Sequence, residues 1–265
     1  MKEVDVRFNN RGRIIGKLRK TSNPRGLIIL AHGFTATMDG PAGTSWIKLS
    51  KELAKNNFDV FRFNFRFTSQ DYKDFQKMTI LSEVSDLKYV LKKFSKKYEK
   101  IALVGESLGG AISILALDEK VDCLVLWYPA IDLPEASVLK DFETASALEE
   151  LAEKGYVTIV KGSTGEKIKV GRKFIIEAAL LSFANHYMTL KKILCPTLII
   201  SPDKDMTVPF WQSVKALKLI QSKKKKLIRV KNSDHAWWKL GRKKRDWAAE
   251  SFAIKETVKW IKSNI

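Results

Sequence analysis

Short, predominantly apolar runs recur along this chain, each separated from the next by a stretch with helical spacing. The runs are GLIILAHG at 26–33, DVFRFNF at 59–65, IALVG at 101–105, CLVLWYP at 123–129 and PTLIISPD at 196–203, with KLIRVKN at 226–232 following. Helix-period segments fall around 46–56, 80–97, 108–117, 210–221 and 247–262. A strand that is apolar throughout needs cover on both faces, and parallel neighbours need a crossover long enough to hold a helix. The alternation therefore predicts an α/β fold, a mostly parallel central sheet with helices on both faces.

Two segments depart from that rhythm. Residues 4–10 and 13–20 alternate apolar with polar and meet at Asn10-Arg11-Gly12, which predicts an N-terminal antiparallel hairpin. Between 134 and 186, the acidic helical sequence FETASALEELAEKG leads into YVTIV, KGSTGEK and IKVGRKF, which predicts a helix and a small hairpin inserted into the sheet topology. The expected organisation is a core of residues 1–133 and 187–265 carrying an inserted cap at 134–186. With 265 residues and 45% hydrophobic side chains, one main core is expected.

The N-terminus MKEVDVRFNN has no apolar signal-like region, and no stretch approaches the roughly 18 apolar residues of a spanning helix. A soluble, cytoplasmic protein is expected. Cys123 and Cys195 each adjoin an apolar run and no C-x-x-C occurs, so both read as reduced packing residues, not metal or redox groups. A formal net charge of +19 favours contact with anionic surfaces, yet its densest runs, at 92–100, 223–226 and 242–245, fall near helix ends and loops. They form no stripe interleaved with aromatics, so no specific nucleic-acid partner is expected.

Chemistry concentrates where strands end. IALVG-E-S-L-GG places Ser107 between a buried strand and a helix, inside Gly105-Glu106-Ser107-Leu108-Gly109. Such a turn lifts the serine above the sheet and needs glycines two residues to either side, where side chains would strike the strand and helix. The helix N-terminus also favours developing negative charge. A serine hydroxyl needs a base, and the chain has three histidines: His32, His186 and His235. His235 follows the last strand, so its loop can reach the carboxyl edge of the sheet. His32 suits a supporting role in its loop, and His186 lies in the inserted region.

The base in turn needs a carboxylate that fixes its tautomer and stabilises imidazolium. Two follow PTLIIS: Asp205, further into the loop, is favoured, and Asp203 is the alternative. A tetrahedral intermediate needs two converging N–H donors; Leu108, directly after the serine, offers one, and Phe34, after the flexible Gly33, offers the other. The competing reading of His32-Gly33 is an ordinary turn.

Taken together, HGF at 32–34, GESLGG at 105–110, D-x-x-V-P at 205–209 and Asp234-His235 resemble the α/β-hydrolase superfamily in its order of nucleophile, acid and histidine. The resemblance covers nearly the whole chain and points to small esterases, acylglycerol lipases and serine aminopeptidase-like members with a modest cap. It implies Ser107 as nucleophile, Asp205 and His235 as its partners, Phe34 and Leu108 as the oxyanion hole, and no cofactor or metal. FRFNFRFTSQ at 61–70 stands where many relatives have a Gly-rich turn, and Pro202 where a glycine is usual before the acid.

The expected substrate is a small-molecule ester, with short or medium acyl or aryl groups. Phe142, Leu148, Tyr156, Phe174 and Phe183 of the cap, with Trp237 and Trp238, are candidates for lining the pocket or, equally, for packing. Monoacylglycerols or lysophospholipids and amides or peptides are the alternative substrates for the same machinery. A non-catalytic binding protein on such a scaffold is the contrasting class.

Overall fold

Residues 2–68, 71–117, 120–136, 140, 142–161, 164–180 and 183–265 are described by the computed structural model, with side chains at 183–185 outside that description. The segment expected at 61–70 and the KGSTGEK turn thus fall partly outside it. The chain opens with β1 (Lys2–Asn9) and β2 (Arg13–Lys20), an antiparallel hairpin. Next come β3 (Leu27–Ala31), α1 (Ser45–Lys55), β4 (Asp59–Asn64), α2 (Ile80–Phe94), β5 (Ile101–Glu106), α3 (Leu108–Ala116) and β6 (Cys123–Trp127).

Helix α4 (Ala145–Lys154), the hairpin β7 (Tyr156–Val160) and β8 (Lys167–Gly171), α5 (Arg172–Leu180) and α6 (Phe183–Leu190) follow. β9 (Thr197–Pro202), α7 (Phe210–Leu219), β10 (Lys225–Val230) and α8 (Trp247–Asn264) complete the chain.

The principal sheet has the order β1-β2-β4-β3-β5-β6-β9-β10, antiparallel through β2–β4 and parallel from β4 to β10. Its period-two burial divides the core. Leu27, Ile29 and Ala31 of β3 pack in the layer with Leu87 of α2 and Ile112 of α3, whereas Ile28 and Leu30 pack with Trp46 of α1 and Ala253 of α8. Apolar continuity along β3 is thus the signature of a strand covered twice.

Two expectations change. The second helix stops at Phe94, not near 97: Lys97 and Tyr98 both donate to the Phe94 carbonyl, tightening the last turn, and the Tyr98 hydroxyl donates to Asp59 Oδ2 at 2.7 Å. At its start, Thr79 Oγ1 accepts from Ser82 N at 3.0 Å while Ser82 Oγ accepts from Thr79 N at 3.1 Å, a reciprocal cap. The stretch between β6 and β9 is also more helical than expected. IKVGRKF reads as the second arm of the hairpin, yet the strand stops at Gly171 and Arg172–Leu180 coils into α5 directly after β8.

The strand order places the site. After β3 the chain crosses to β4 on one side, then returns over β3 to β5 on the other, which opens a crevice at the carboxyl ends of β3 and β5. Ala31 pairs with Gly105 across that seam, so the loops bearing His32-Gly33-Phe34 and Ser107 leave the sheet side by side.

Candidate active site

Ser107 connects β5 to α3 with φ 53° and ψ −121°, a left-handed conformation that a non-glycine residue adopts only when its surroundings hold it there. Its backbone is held on both sides: Ser107 N donates to the Trp127 carbonyl at 2.9 Å, and the Ser107 carbonyl accepts from Ala130 N at 3.1 Å and Gly110 N at 3.0 Å. A Cβ on Gly105 would lie 2.5 Å from the Gly109 carbonyl oxygen, and one on Gly109 would lie 2.4 Å from that of Ala31. Both glycines of the motif are therefore required by close backbone approach.

The Ser107 Oγ lies 3.1 Å from His235 Nε2, and His235 Nδ1 lies 2.8 Å from Asp205 Oδ2. An acceptor at Nδ1 places the proton there and leaves Nε2 as the lone pair facing the hydroxyl. The other oxygen of Asp205 is used at home, accepting from Thr207 N at 2.8 Å and Val208 N at 2.7 Å. Burial pushes the His235 pKa down, but the charge and hydrogen bond of Asp205, helped by the charge of Glu106, outweigh it and leave the pKa raised.

Asp203 has a different task. It accepts from Asn232 N at 2.8 Å and pairs with Arg229 at 3.0 Å, tying the end of β9 to the loop after β10. Among the two carboxylates left open by sequence, Asp205 is the one beside the histidine. His32 is buried with Nδ1 2.9 Å from the Gly33 carbonyl and Nε2 3.2 Å from Thr68 Oγ1. Burial first, then the charge of Lys161, lower its pKa to about 4 against the opposing Gly33 carbonyl, so it is neutral near pH 7. His186 is buried in α6, and the imidazole within hydrogen-bond distance of Ser107 Oγ is that of His235.

Leu108 opens α3, so its N–H belongs to the turn a helix leaves without intrahelical partners. Phe34 follows Gly33, and both Phe34 and Leu108 line the cavity that contains Ser107 and His235. Among the described residues, no group of three or more His, Cys, Asp or Glu is arranged to hold a metal ion. No helix among them is long and apolar enough to cross a membrane.

The sequence profile of the α/β hydrolase fold matches residues 26–158. The chain belongs to the α/β-hydrolase family. A thermostable monoacylglycerol lipase of Bacillus sp. (strain H-257) is 24% identical over 212 residues, covering 78% of this chain and 82% of that protein. Among solved structures, a putative hydrolase from Agrobacterium vitis S4 has a TM-score of 0.76 at 20% identity, covering 100% of this chain and 98% of that one. Est1E from Butyrivibrio proteoclasticus has a TM-score of 0.69 at 18% identity, with 97% and 99% covered.

In this α/β-hydrolase chain the serine stands between two cavities, of about 480 and 470 Å³, which share Phe34, Thr35, Ser107, Lys161 and His235 in their walls. The first is apolar for most of its lining, including Leu108, Leu133, Ile159, Phe174 and Val208. Of the cap residues expected to line a pocket, Phe174 does so, stacked on Phe34 at 5.0 Å between ring centroids. Phe142 is buried away from the cavities, Leu148 is exposed, Tyr156 lies under Lys169, and the side chain of Phe183 is outside the described set. Trp237 is also not a pocket wall: it is fully buried against Trp127 and Tyr128, whereas Trp238 does line the second cavity.

Sequence reasoning missed the residues that hold this arrangement in place. Buried Glu106, read only as the variable position of the motif, accepts from Gly33 N through Oε1 at 2.7 Å. Asp234 accepts from His235 N at 2.6 Å and Met206 N at 2.9 Å, and Arg242 grips it through Nε at 2.7 Å while reaching Thr207 Oγ1 at 2.6 Å. Two hydrogen bonds, from Met206 N to Asp234 and from Arg242 to Thr207, thus tie the acid loop to the histidine loop. The Tyr128 ring meets the imidazole edge-to-face at 4.7 Å. Glu106 and Asp234 adjoin the serine and histidine in sequence, which was the available signal; Arg242 and Tyr128 gave none.

Proposed function

We propose that the chain is a serine hydrolase acting on carboxylic esters, a carboxylesterase for short or medium acyl or aryl groups. The observation that carries this reading is the unbroken line from Ser107 through His235 to Asp205, with gaps of 3.1 and 2.8 Å, opening on a mostly apolar cavity. His235 Nε2 removes the hydroxyl proton as Ser107 Oγ attacks the ester carbonyl, and Asp205 stabilises the imidazolium that forms. The oxyanion is received by the N–H groups of Phe34 and Leu108. Collapse expels the alcohol, protonated from Nε2, and leaves an acyl group on Ser107; water, deprotonated by the same nitrogen, then releases the acid.

Similarity to a monoacylglycerol lipase supports a second reading, in which the substrate is a longer-chain monoacylglycerol. Chain-length profiling with p-nitrophenyl esters separates the two: an optimum at short or medium chains supports the first reading, and one at long chains the second. Comparison with Ser107→Ala and labelling by a fluorophosphonate test the mechanism. The variant should lose about 10³-fold or more in activity and all labelling. A wild type that neither labels nor hydrolyses any ester refutes the proposal and favours a binding protein.

A further inference from the structure

Lys161 is a cation in the walls of both cavities beside Ser107. It follows the last residue of β7 and is half-buried, so its ammonium is drawn inward over the site. The reach of its charge to His32, within the loop that carries Phe34, agrees with that direction. Among the described residues, no carboxylate oxygen lies within 4.0 Å of Lys161 Nζ. Arg242, the other cation lining the first cavity, is already committed to Asp234 and Thr207.

The position of Lys161 is fixed by a neutral group. The Tyr72 hydroxyl donates to the Thr35 carbonyl at 2.8 Å, which turns its oxygen toward Lys161 Nζ, and Nζ donates to it while also lying 5.0 Å from the ring centroid. One of three ammonium donors is thereby used and the charge is not neutralised. A half-buried cation that is anchored by a phenol and faces an apolar cavity gains most from an anion brought by a ligand, since charge-assisted hydrogen bonds are the stronger kind.

Resting on the serine-hydrolase reading, we infer that Lys161 is a specificity-determining residue that binds a carboxylate on the substrate, so that the preferred esters are anionic. The carboxylate belongs to either the acyl or the alcohol part, because Lys161 borders the cavities on both sides of the serine. The net charge of +19 would draw such substrates toward the protein, and Lys161 would select among them at the site.

The test uses carboxylate and carboxamide pairs of equal shape: 4-nitrophenyl glutarate against 4-nitrophenyl glutaramate for the acyl side, and 4-acetoxybenzoate against 4-acetoxybenzamide for the alcohol side. Wild type should favour the anion in at least one pair by about tenfold or more in kcat/KM, with the ratio shrinking as salt rises from about 0.02 to about 0.5 M. Lys161→Met should bring that ratio near one, Lys161→Arg should restore most of it, and Tyr72→Phe, which frees the ammonium, should give an intermediate value.

Calorimetric titration of Ser107→Ala with the same pairs reads the preference without turnover. Preferential binding of the anion by Ser107→Ala, lost when Lys161→Met is added, supports the inference even if wild type hydrolyses nothing and the hydrolase reading falls. Equal binding of both members of each pair, or a preference that survives Lys161→Met, overturns it even where ester hydrolysis is established.

Discussion

Replacing Glu106 separates a hydrogen bond from a charge. Its Oε1 receives the Gly33 N–H at 2.7 Å inside the protein, so the carboxyl sets the bend that leads to Phe34. Burial drives the Glu106 pKa up, against the Gly33 N–H, His235, Tyr128 and Arg245, and the balance leaves it raised. In Glu106→Ala the Gly33 N–H loses its acceptor, which costs about 1–3 kcal/mol of stability. The loop is then free to turn the Phe34 N–H away from the oxyanion it is proposed to receive. Loss of one such donor is worth about 10²–10³-fold, and misalignment instead of removal places the expected fall in kcat/KM near 10²-fold, or about 2.7 kcal/mol.

Glu106→Gln keeps an oxygen acceptor and should retain activity within about tenfold of wild type near pH 8. It also removes a negative charge that helps to raise the His235 pKa. In the proposed mechanism the base works only when neutral, so a raised His235 pKa moves the acid limb of kcat/KM upward, and Glu106→Gln should move that limb back toward lower pH. The assay is a pH profile of ester hydrolysis for wild type and both variants, with thermal melts to confirm folding. A folded Glu106→Ala protein as active as Glu106→Gln would refute the positioning argument, and an unmoved acid limb in Glu106→Gln would refute the electrostatic one.

The two aspartates after β9 should behave oppositely under the same change. Asp205→Asn is expected to lose about 10⁴-fold in kcat because the histidine loses its fixed tautomer, whereas Asp203→Asn, at the Arg229 pair, should stay within about tenfold; equal losses in the same ester assay would contradict the assignment. Glu83 is buried in the first turn of α2 with Oε2 unpartnered and Asp86 nearby, and burial, then Asp86, hold its pKa well above the carboxylate range. The fold therefore binds this proton more tightly than the unfolded chain, and the cost grows as pH rises from about 4.3 through the folded value. Glu83→Met should stabilise by about 1–3 kcal/mol at pH 8 and by less at pH 4, read by urea denaturation at both; a gain that is larger at the acidic pH would reverse the argument.

The sheet was legible because buried parallel strands have no polar face to interrupt them: β3, β5, β6 and β9 are buried along their whole length and stand in the sequence as continuous apolar runs. Ser107 and His235, which the structure brings to 3.1 Å of each other, stood out in the sequence for a related reason, since each follows such a run directly or after a short loop. The choice between Asp203 and Asp205 could not be read locally. It depends on the register of β9 against β10, which puts Asp203 opposite the end of Val230 and carries Asp205 over to the imidazole. The inserted stretch was the least legible part: α5 follows β8 with no connecting loop, and α6 runs across residue 186, where the sequence suggested a boundary. Lys161 stood in a polar turn, and its place beside Ser107 follows from tertiary packing alone.

The hydrogen bonds around His235 divide the molecule by task. Asp205 holds its ring, Asp234 holds its backbone, and Arg242 joins the two loops, all from residues that follow β9 and β10. Ser107 is held by Trp127 of β6, Ala130 of the loop after it and Gly110 of α3. Among the described residues none between α4 and α6 takes part in either set, so the separation of 3.1 Å between Oγ and Nε2 is set by the sheet and its edge loops. What the inserted stretch contributes is wall: Ile159 and Phe174 on the apolar side, and Lys161, whose ammonium has no carboxylate partner among the described residues. Substitutions there should alter which ester is bound while leaving the hydroxyl and its base in register, whereas substitutions in the strand-end loops should lower kcat for every ester alike.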